Sequence, residues 1–392
     1  MEQNVSEPKS NRGRSLFSFC GFHFLDDGFS DAFYIILPFL AAELQLSLSE
    51  VGLLKGVFSG AMSLFQLPMA LLGEKVGELT IVALGTLGLA AGFLLLSLSV
   101  KLSVVFFSLI LAKSTAAGQH SLSSSLLSRT YEESGRRAAM GTYNFSGDLG
   151  KVIIPFTLAL LINWWGWRQA TFSVAIGVFF LGLLLWAFSR QRLTALPVVH
   201  QKGKKSGWGI ENKLGFSSLV TIGMLDYSVR AGLLTFLPFL LLEKGVPATE
   251  VGFALTLIFA GGAIGKFACG FLAERFGIIA MVISTELATA GGIMSIYYLP
   301  SAAIWGILPL VGIALNGTSS VLYASVAEII SPQKRSRGYG LYYALTLGSG
   351  SVSPILFGLL AQVTSLGYAF VLIAMLTLLT LPFTWALRRQ TE

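Results

Sequence analysis

The sequence predicts an all-α membrane protein in which twelve transmembrane helices form two pseudo-symmetric six-helix bundles. Its composition is 54% hydrophobic and only 12% charged, with a mean hydropathy of +0.73, whereas soluble domains carry about 25% charged residues. Its apolar residues lie in runs long enough to cross a bilayer. The two halves of the chain also resemble each other at an offset of 200 positions. This composition excludes an ordinary large soluble protein.

Twelve apolar runs are separated by polar turns or by turns that contain Gly or Pro. Because a helix needs roughly 20 apolar residues to cross a bilayer, each run is a predicted span. The limits are 15–42, 50–73, 79–99, 103–127, 139–162, 167–189, 214–242, 250–273, 278–298, 302–329, 339–363 and 366–387. They predict an N-terminal bundle over residues 15–189 and a C-terminal bundle over residues 214–387.

The basic residues outside the spans predict the orientation of the chain. The outer loops contain only Lys101, Arg168 and Lys244, and cytoplasmic loops carry the excess of Lys and Arg. We therefore expect both termini in the cytoplasm, in a cell membrane such as the bacterial cytoplasmic membrane. The cytoplasmic segments are a tail over 1–14 that is not a signal peptide, a basic linker over 190–213 and a tail over 388–392. The basic linker is interpreted as charge beside anionic lipid, not as a nucleic-acid site.

An internal repeat relates the two halves. "LPFLAAELQLSLSEVG" (37–52) aligns without a gap on "LPFLLLEKGVPATEVG" (237–252), and further along Gly77 matches Gly277. Chance similarity between apolar helices would not keep charged, Gly and Pro positions in register. Parallel repeats of six helices are typical of transporters that bind their solute near the bilayer midplane, between the repeats. A channel or a membrane enzyme does not need such a duplication.

Ionisable side chains within the spans are the candidate site residues. Charges in hydrocarbon are costly, so these groups should face a water-filled cavity or a partner. The proton-coupling candidates lie in "FHFLDDGFSDAF" (22–33) and are Asp26, Asp27 and Asp31. The substrate-binding candidates are His23, Lys113, His120, Asp148, Lys151, Asp226, Arg230 and Lys266.

Helical spacing divides the acidic residues of the first span into two groups. His23, Asp27 and Asp31 follow one another at intervals of four and predict one stripe, whereas Asp26 points about 100° away from Asp27. Asp26 has a repeat mate in Asp226, and Asp27 and Asp31 have no acidic mate. A buried carboxylate can take up and release a proton as a cavity changes side. Which of the three does so stays open.

Spacing also predicts contacts among the other candidates. Asp226 and Arg230 are one helical turn apart and should neutralise each other. Lys113 and His120 are seven residues apart and should share a face of the span over 103–127. The lysines and the arginine within the spans suit a carboxylate, phosphonate or phosphate group, while the acids could bind an amine.

Two inner loops resemble a known signature. "ALLGEKVG" (70–77) and "GFLAERFG" (270–277) resemble the loop Gly-x-Leu-Ala-Asp-Arg-x-Gly of the major facilitator superfamily. "GQHSLSSS" (118–125) and "SGDLGKVIIP" (146–155) are similar to segments of the fosmidomycin-resistance-like exporters. The resemblance implies the major facilitator fold, transport by alternating access, and conformational gating by Glu74, Lys75, Gly77, Gly270, Glu274, Arg275 and Gly277.

These patterns predict a secondary active transporter, not an enzyme, that moves a small anionic or zwitterionic organic solute by proton-coupled efflux. We expect a monomer in the lipid bilayer, with no nucleic-acid partner, no metal and no cofactor besides the proton gradient. One alternative is a divalent-metal exporter that uses His23, Asp26, Asp27 and His120, since carboxylate and imidazole bind first-row metals. Another is a proton-coupled uptake symporter. From a different class, a transport-dead membrane sensor would keep the fold.

Overall fold

The computed structural model describes residues 9–131, 135–190, 210–331 and 335–391. Nearly all of these residues are helical. The helices in chain order are α1 (Lys9–Asp31), α2 (Phe33–Leu44), α3 (Leu48–Val76), α4 (Glu78–Leu98), α5 (Leu102–Ala116), α6 (Gln119–Thr130), α7 (Arg136–Arg190), α8 (Lys213–Glu243), α9 (Ala248–Phe276), α10 (Ile278–Tyr298), α11 (Ser301–Ile329), α12 (Arg335–Val363), α13 (Leu366–Leu378) and α14 (Thr380–Thr391).

Ten helical stretches within the described residues are long and apolar enough to cross a membrane. Nine of them each overlap one predicted span. The tenth, Ala138–Arg190, overlaps two, and its backbone leaves the helical conformation at Gly166, between those two spans. The chain is therefore an all-α membrane protein, as predicted. The remaining predicted span, 15–42, is divided between the polar α1 and the short α2.

The span predicted over 103–127 corresponds to one membrane-crossing stretch, Leu102–Leu127. Its helical hydrogen bonding is interrupted locally at Ala117 and Gly118, which separates α5, with Lys113, from α6, with His120. Gly118 packs closely against neighbouring side chains, where an added Cβ would lie 3.0 Å from Leu122. Glycine destabilises the interior of a helix. At this position, however, the close packing leaves little room for a larger residue.

The helix boundaries repeat at the offset found in the sequence. α3 and α9 begin and end 200 positions apart, and so do α4 and α10. Gly77 and Gly277 join these helices with φ values of 106° and 84°, a conformation that glycine adopts readily and other residues rarely do. Gln45 and Gly245, the mates that follow α2 and α8, also have positive φ values of 53° and 80°. The repeat therefore extends to local backbone conformation.

Capping side chains fix several helix starts. At the start of α3, the Ser47 amide donates to the Glu50 carboxylate over 2.8 Å and the Glu50 amide donates to Ser47 Oγ over 3.3 Å, which is a capping box. α8 begins where Asn212 Oδ1 accepts a hydrogen bond of 2.8 Å from the Gly215 amide. These bonds satisfy donors that the first turn of a helix leaves open.

The chain divides into two compact units. The first unit comprises Met1–Phe33 and Ala61–Lys202, and the second comprises Tyr34–Gly60 and Gly203–Glu392. Each has its own apolar core, around Phe22 and Tyr143 in the first unit and around Val282 in the second. Most of the predicted linker, residues 191–209, lies outside the described part of the chain. Residues 34–60, however, group with the second unit, although the sequence assigns them to the N-terminal bundle.

Small residues bring α1 and α7 together in the first unit. A Cβ on Gly28 would meet the Gly150 carbonyl, and a Cβ on Gly150 would meet the Phe24 carbonyl. Gly147 lies against the ring of His23 in the same way. Glycines of this kind allow membrane helices to approach closely. The acidic stripe of α1 consequently lies beside the polar side chains of α7.

Candidate functional site

Asp27 of α1 is the centre of an ion network in the first unit. Its Oδ2 atom lies 3.2 Å from His23 Nε2 and 3.1 Å from Lys151 Nζ, and its Oδ1 atom lies 3.4 Å from His120 Nε2. The network joins α1, α6 and α7. Only 11% of the Asp27 side chain is exposed, so these contacts replace the water that a carboxylate needs.

Lys151 is shared between two carboxylates. Its Nζ lies 3.1 Å from Asp27 Oδ2 and 3.9 Å from Asp31 Oδ2, and Asp148 also acts on it electrostatically. Asp27 and Asp31 therefore lie on one face of α1, as the spacing predicts. A lysine with two acceptors one helical turn apart can shift from one to the other without moving its helix.

His23 is held in one orientation by Tyr143 of α7. Its Nδ1 atom lies 2.8 Å from the Tyr143 carbonyl oxygen, and the two rings stack with centroids 4.0 Å apart. Because a carbonyl oxygen only accepts, Nδ1 carries a proton and donates it. Nε2 is thereby directed at Asp27. The sequence reasoning missed Tyr143 as a site residue, although its match with Tyr343 in the repeat is a signal.

Asp26 lies apart from this network. It is fully buried, and neither carboxylate oxygen has a hydrogen-bond partner among the described residues. The cation with the largest electrostatic effect on it is Lys113 of α5, which donates a 2.6 Å hydrogen bond to Ser30 Oγ. Ser30 was not predicted. Two signals point to it: it lies one turn after Asp26, and it is the repeat mate of Arg230.

The candidates in the second unit form a simpler arrangement. Arg230 Nη2 lies 3.3 Å from Asp226 Oδ2, so the predicted pair is confirmed. The same nitrogen donates a hydrogen bond of 3.1 Å to the Leu315 carbonyl of α11. Glu286 of α10 is buried and acts electrostatically with Asp226. Lys266 is half-buried on α9.

The predicted gating residues lie at the ends of α3 and α9. Gly77 and Gly277 adopt the positive φ values that turn the chain into the next helix, and Gly270 is half-buried within α9. Exposed side chains are found at Lys75, Glu274 and Arg275, whereas the side chain of Glu74 lies outside the described part of the chain. Their gating role stays a prediction.

Apolar helices in a duplicated chain, with ionisable side chains buried among them, define a multi-pass membrane transport protein. The chain belongs to the major facilitator superfamily, whose family model matches residues 19–219 and 219–392. The resemblance seen in "GFLAERFG" is thereby confirmed. Membership of this superfamily makes the protein a transporter and not an enzyme.

Similar proteins cover nearly the whole chain. The MFS-type transporter YfnC of Bacillus subtilis is 24% identical over 91% of this chain and 88% of its own length. The fosmidomycin resistance protein of Escherichia coli is 22% identical with the same coverage. A solved structure of a bacterial homologue of the human lysosomal transporter Spinster, in an inward-facing and occupied conformation, superposes with a TM-score of 0.80, at 17% identity and 98% coverage of both chains. At this identity the structural likeness shows the fold alone.

Proposed function

We propose that this protein is a proton-coupled secondary transporter that exports a small anionic or zwitterionic organic solute by alternating access. It would act as a monomer, with twelve spans in two six-helix bundles and with both termini in the cytoplasm of a bacterial cell. The observation that carries the proposal is the position of Lys151 between Asp27 and Asp31. Because Lys151 is shared between two carboxylates, it can also bind the anionic group of a solute.

The anionic group of the solute would compete for Lys151. The Lys151 side chain is 28% exposed, so part of it can be reached while α7 stays folded. A carboxylate, phosphonate or phosphate that binds Lys151 makes charge-assisted hydrogen bonds of the kind that Asp27 and Asp31 now make. For Asp226, Arg230 and Lys266 of the second unit, the predicted role in substrate binding stays a prediction.

Charge balance would link the solute to the proton. Export driven by the proton gradient requires that solute and proton occupy the cluster in turn. The amino group of a zwitterionic solute would bind the α1 carboxylates and displace the proton from Asp26, Asp27 or Asp31, while its acidic group binds Lys151. Release of the solute outside would leave a buried carboxylate uncompensated, which is costly, so that carboxylate takes up a proton and carries it inward. Similarity to a fosmidomycin resistance protein supports export as the direction.

The test is a transport assay in proteoliposomes with an imposed pH gradient and an internal pH-sensitive dye. Fosmidomycin and a set of simple organic carboxylates serve as probes. We expect at least one probe to produce solute-dependent proton movement in the wild type. This movement should disappear in Lys151→Ala and in the double variant Asp26→Asn/Asp27→Asn. Lys101→Ala, in a predicted outer loop, is the matched lysine control and should keep it.

Each alternative gives a different result in the same assay. Proton movement in the same direction as the solute would indicate an uptake symporter. Binding of a probe without any flux would indicate a membrane sensor. If coupled flux survives in both Asp26→Asn and Asp27→Asn, the proposed proton site is wrong.

A further inference from the structure

We propose that His23, Asp27 and His120 form a binding site for a first-row divalent metal ion, and that this ion competes with Lys151 for the Asp27 carboxylate. The proposal goes beyond the transport of an organic solute. It concerns a second kind of ligand for the same cluster, and it can be tested without any transport measurement.

The spacing of the ligand atoms suits such an ion. One nitrogen from each histidine and a carboxylate oxygen of Asp27 all lie within 4.8 Å of one another. His23 Nε2 and His120 Nε2 are 3.2 and 3.4 Å from the Asp27 oxygens. Two ligands of a tetrahedral zinc ion, each about 2.0–2.2 Å from the metal, are themselves separated by about 3.3–3.5 Å. Imidazole and carboxylate are the ligands that Zn²⁺ and its first-row neighbours accept.

A second observation points to a cation at His23. Histidines that bind metals usually donate the hydrogen of their other ring nitrogen to a carbonyl or carboxylate, which fixes the ring. His23 does this through its 2.8 Å hydrogen bond to the Tyr143 carbonyl and its stacking on the Tyr143 ring. The remaining nitrogen, Nε2, then faces a carboxylate oxygen. A nitrogen and a carboxylate oxygen 3.2 Å apart are held together either by a proton on Nε2 or by a metal ion that replaces it.

Access to the cluster comes from the His120 side. The His120 side chain is 37% exposed, whereas those of His23 and Asp27 are 5% and 11% exposed. An ion can therefore reach three protein ligands from one open direction. The fourth position is left for water or for a solute atom, as in zinc sites that bind an exogenous ligand.

Lys151 is the competitor because its ammonium group contacts the same carboxylate oxygen that faces His23. Repulsion between two cations at this distance would expel a metal ion unless the lysine moved. Asp31 provides the alternative partner, since its carboxylate lies 3.9 Å from Lys151 Nζ in the present arrangement. Metal binding therefore shifts Lys151 by one helical turn along α1, from Asp27 to Asp31.

The experiment is a titration of the full-length protein in detergent with Co²⁺, followed by the visible absorption of the bound ion, and with Zn²⁺ by competition. The protein is purified with an affinity tag that contains no histidine. The chain has three histidines, so His200→Ala is a matched control for the two in the cluster. We expect one Co²⁺ per chain, at least about tenfold weaker binding in His120→Ala and His120→Gln, and unchanged binding in His200→Ala.

Two variants separate this site from a mere pair of histidines. Lys151→Gln removes the competing charge and should tighten Co²⁺ binding about tenfold or more. Asp31→Asn should weaken it, although Asp31 is not a ligand, because Lys151 loses its alternative partner. Absence of saturable binding in the wild type would overturn the proposal. So would unchanged affinity in both His120 variants, or weaker binding in Lys151→Gln.

Discussion

Asp26 of the first unit and Asp226 of the second occupy equivalent places in the repeat, but their cations come from different helices. In the second unit the cation is Arg230, one turn further along the same helix. In the first unit that place is taken by Ser30, and the nearby cation is Lys113 of α5, which bonds to the serine. Helix geometry fixes a pair within one helix. A contact between helices depends on how they pack, so the charges of the first unit can be rearranged more easily.

The equivalent helices differ in continuity as well. α8 runs unbroken from Lys213 to Glu243, whereas its counterpart is divided into α1 and α2 next to Asp31. The helical hydrogen bond from the Ala32 amide to the Gly28 carbonyl persists over 3.1 Å, so the interruption is local. The polar network and the broken helix thus occur together in one half of the repeat only.

The largest effect is expected from Asp27→Ala, because it removes the centre of the network. It leaves Lys151 and two histidines beside an empty position, and loss of one partner of a buried ion pair costs about 3–5 kcal/mol. Thermal or denaturant unfolding in detergent measures the change. A double-mutant cycle with Lys151→Gln should recover part of the loss, since the orphaned charge is removed too. Additive losses would mean that the two groups do not interact.

Asp226→Asn should cost less, about 1–3 kcal/mol. Arg230 keeps its hydrogen bond to the Leu315 carbonyl, and the asparagine can still accept from the guanidinium group. The same unfolding assay checks this value. A loss equal to that of Asp27→Ala would contradict the view that the second unit contains the simpler arrangement.

Gly150 and Gly350 are repeat mates that allow a matched comparison of packing. A Cβ at Gly150 would meet the Phe24 carbonyl of the backbone, whereas one at Gly350 would meet the ring of Tyr227. A ring can rotate and a helix backbone cannot, so Gly150→Ala should destabilise the protein by about 2–3 kcal/mol and Gly350→Ala by about 1 kcal/mol. Replacement of glycine by alanine raises helix propensity equally at both positions, so this contribution cancels when the two changes in unfolding free energy are compared. Equal effects would show that α1 and α7 are less closely packed than α8 and α12.

The smallest effects belong to the mates Gln45 and Gly245, which both have positive φ. Gly245→Ala forces a side chain into this conformation and should cost about 1 kcal/mol. Gln45→Gly relieves the same strain in the folded state but increases the conformational entropy of the unfolded chain. Because the two effects oppose each other, the variant should be more stable by about 0.5 kcal/mol or less. Unfolding midpoints of the two variants, measured side by side, test the sign. A destabilising Gln45→Gly would indicate that the Gln45 side chain makes contacts that outweigh the strain.

Sequence reasoning works well for features that depend on local spacing. The junctions between α3 and α4 and between α9 and α10 follow from apolar runs that are interrupted at Gly77 and Gly277. The contacts of Asp27 and Asp31 follow from the helical interval of four. These features need no knowledge of how helices pack. The repeat adds the equivalence of Gly77 and Gly277, whose backbone conformations match in the structure.

Features that depend on packing between helices were not predictable in this way. The hydrogen bond between Lys113 and Ser30 joins residues 83 positions apart, and that between His23 and Tyr143 joins residues 120 apart. The local interruption at Ala117 and Gly118 lies inside an apolar run and has no signal in its spacing. The grouping of residues 34–60 with the second unit is likewise a tertiary property. No pattern of spacing along one span contains this information.

The separation between His23 and Tyr143 also has a consequence for biogenesis. Ribosomes add about 5–20 residues per second, so the 120 residues between them take about 6–24 s to synthesise. During that time α1 has left the ribosome with its carboxylates, while Lys151 and the Tyr143 carbonyl do not yet exist. The polar contacts that α7 supplies to α1 therefore form only after α7 has been synthesised, and until then α1 lacks them. Synthesis that pauses before α7 should leave the nascent chain open to quality-control proteases.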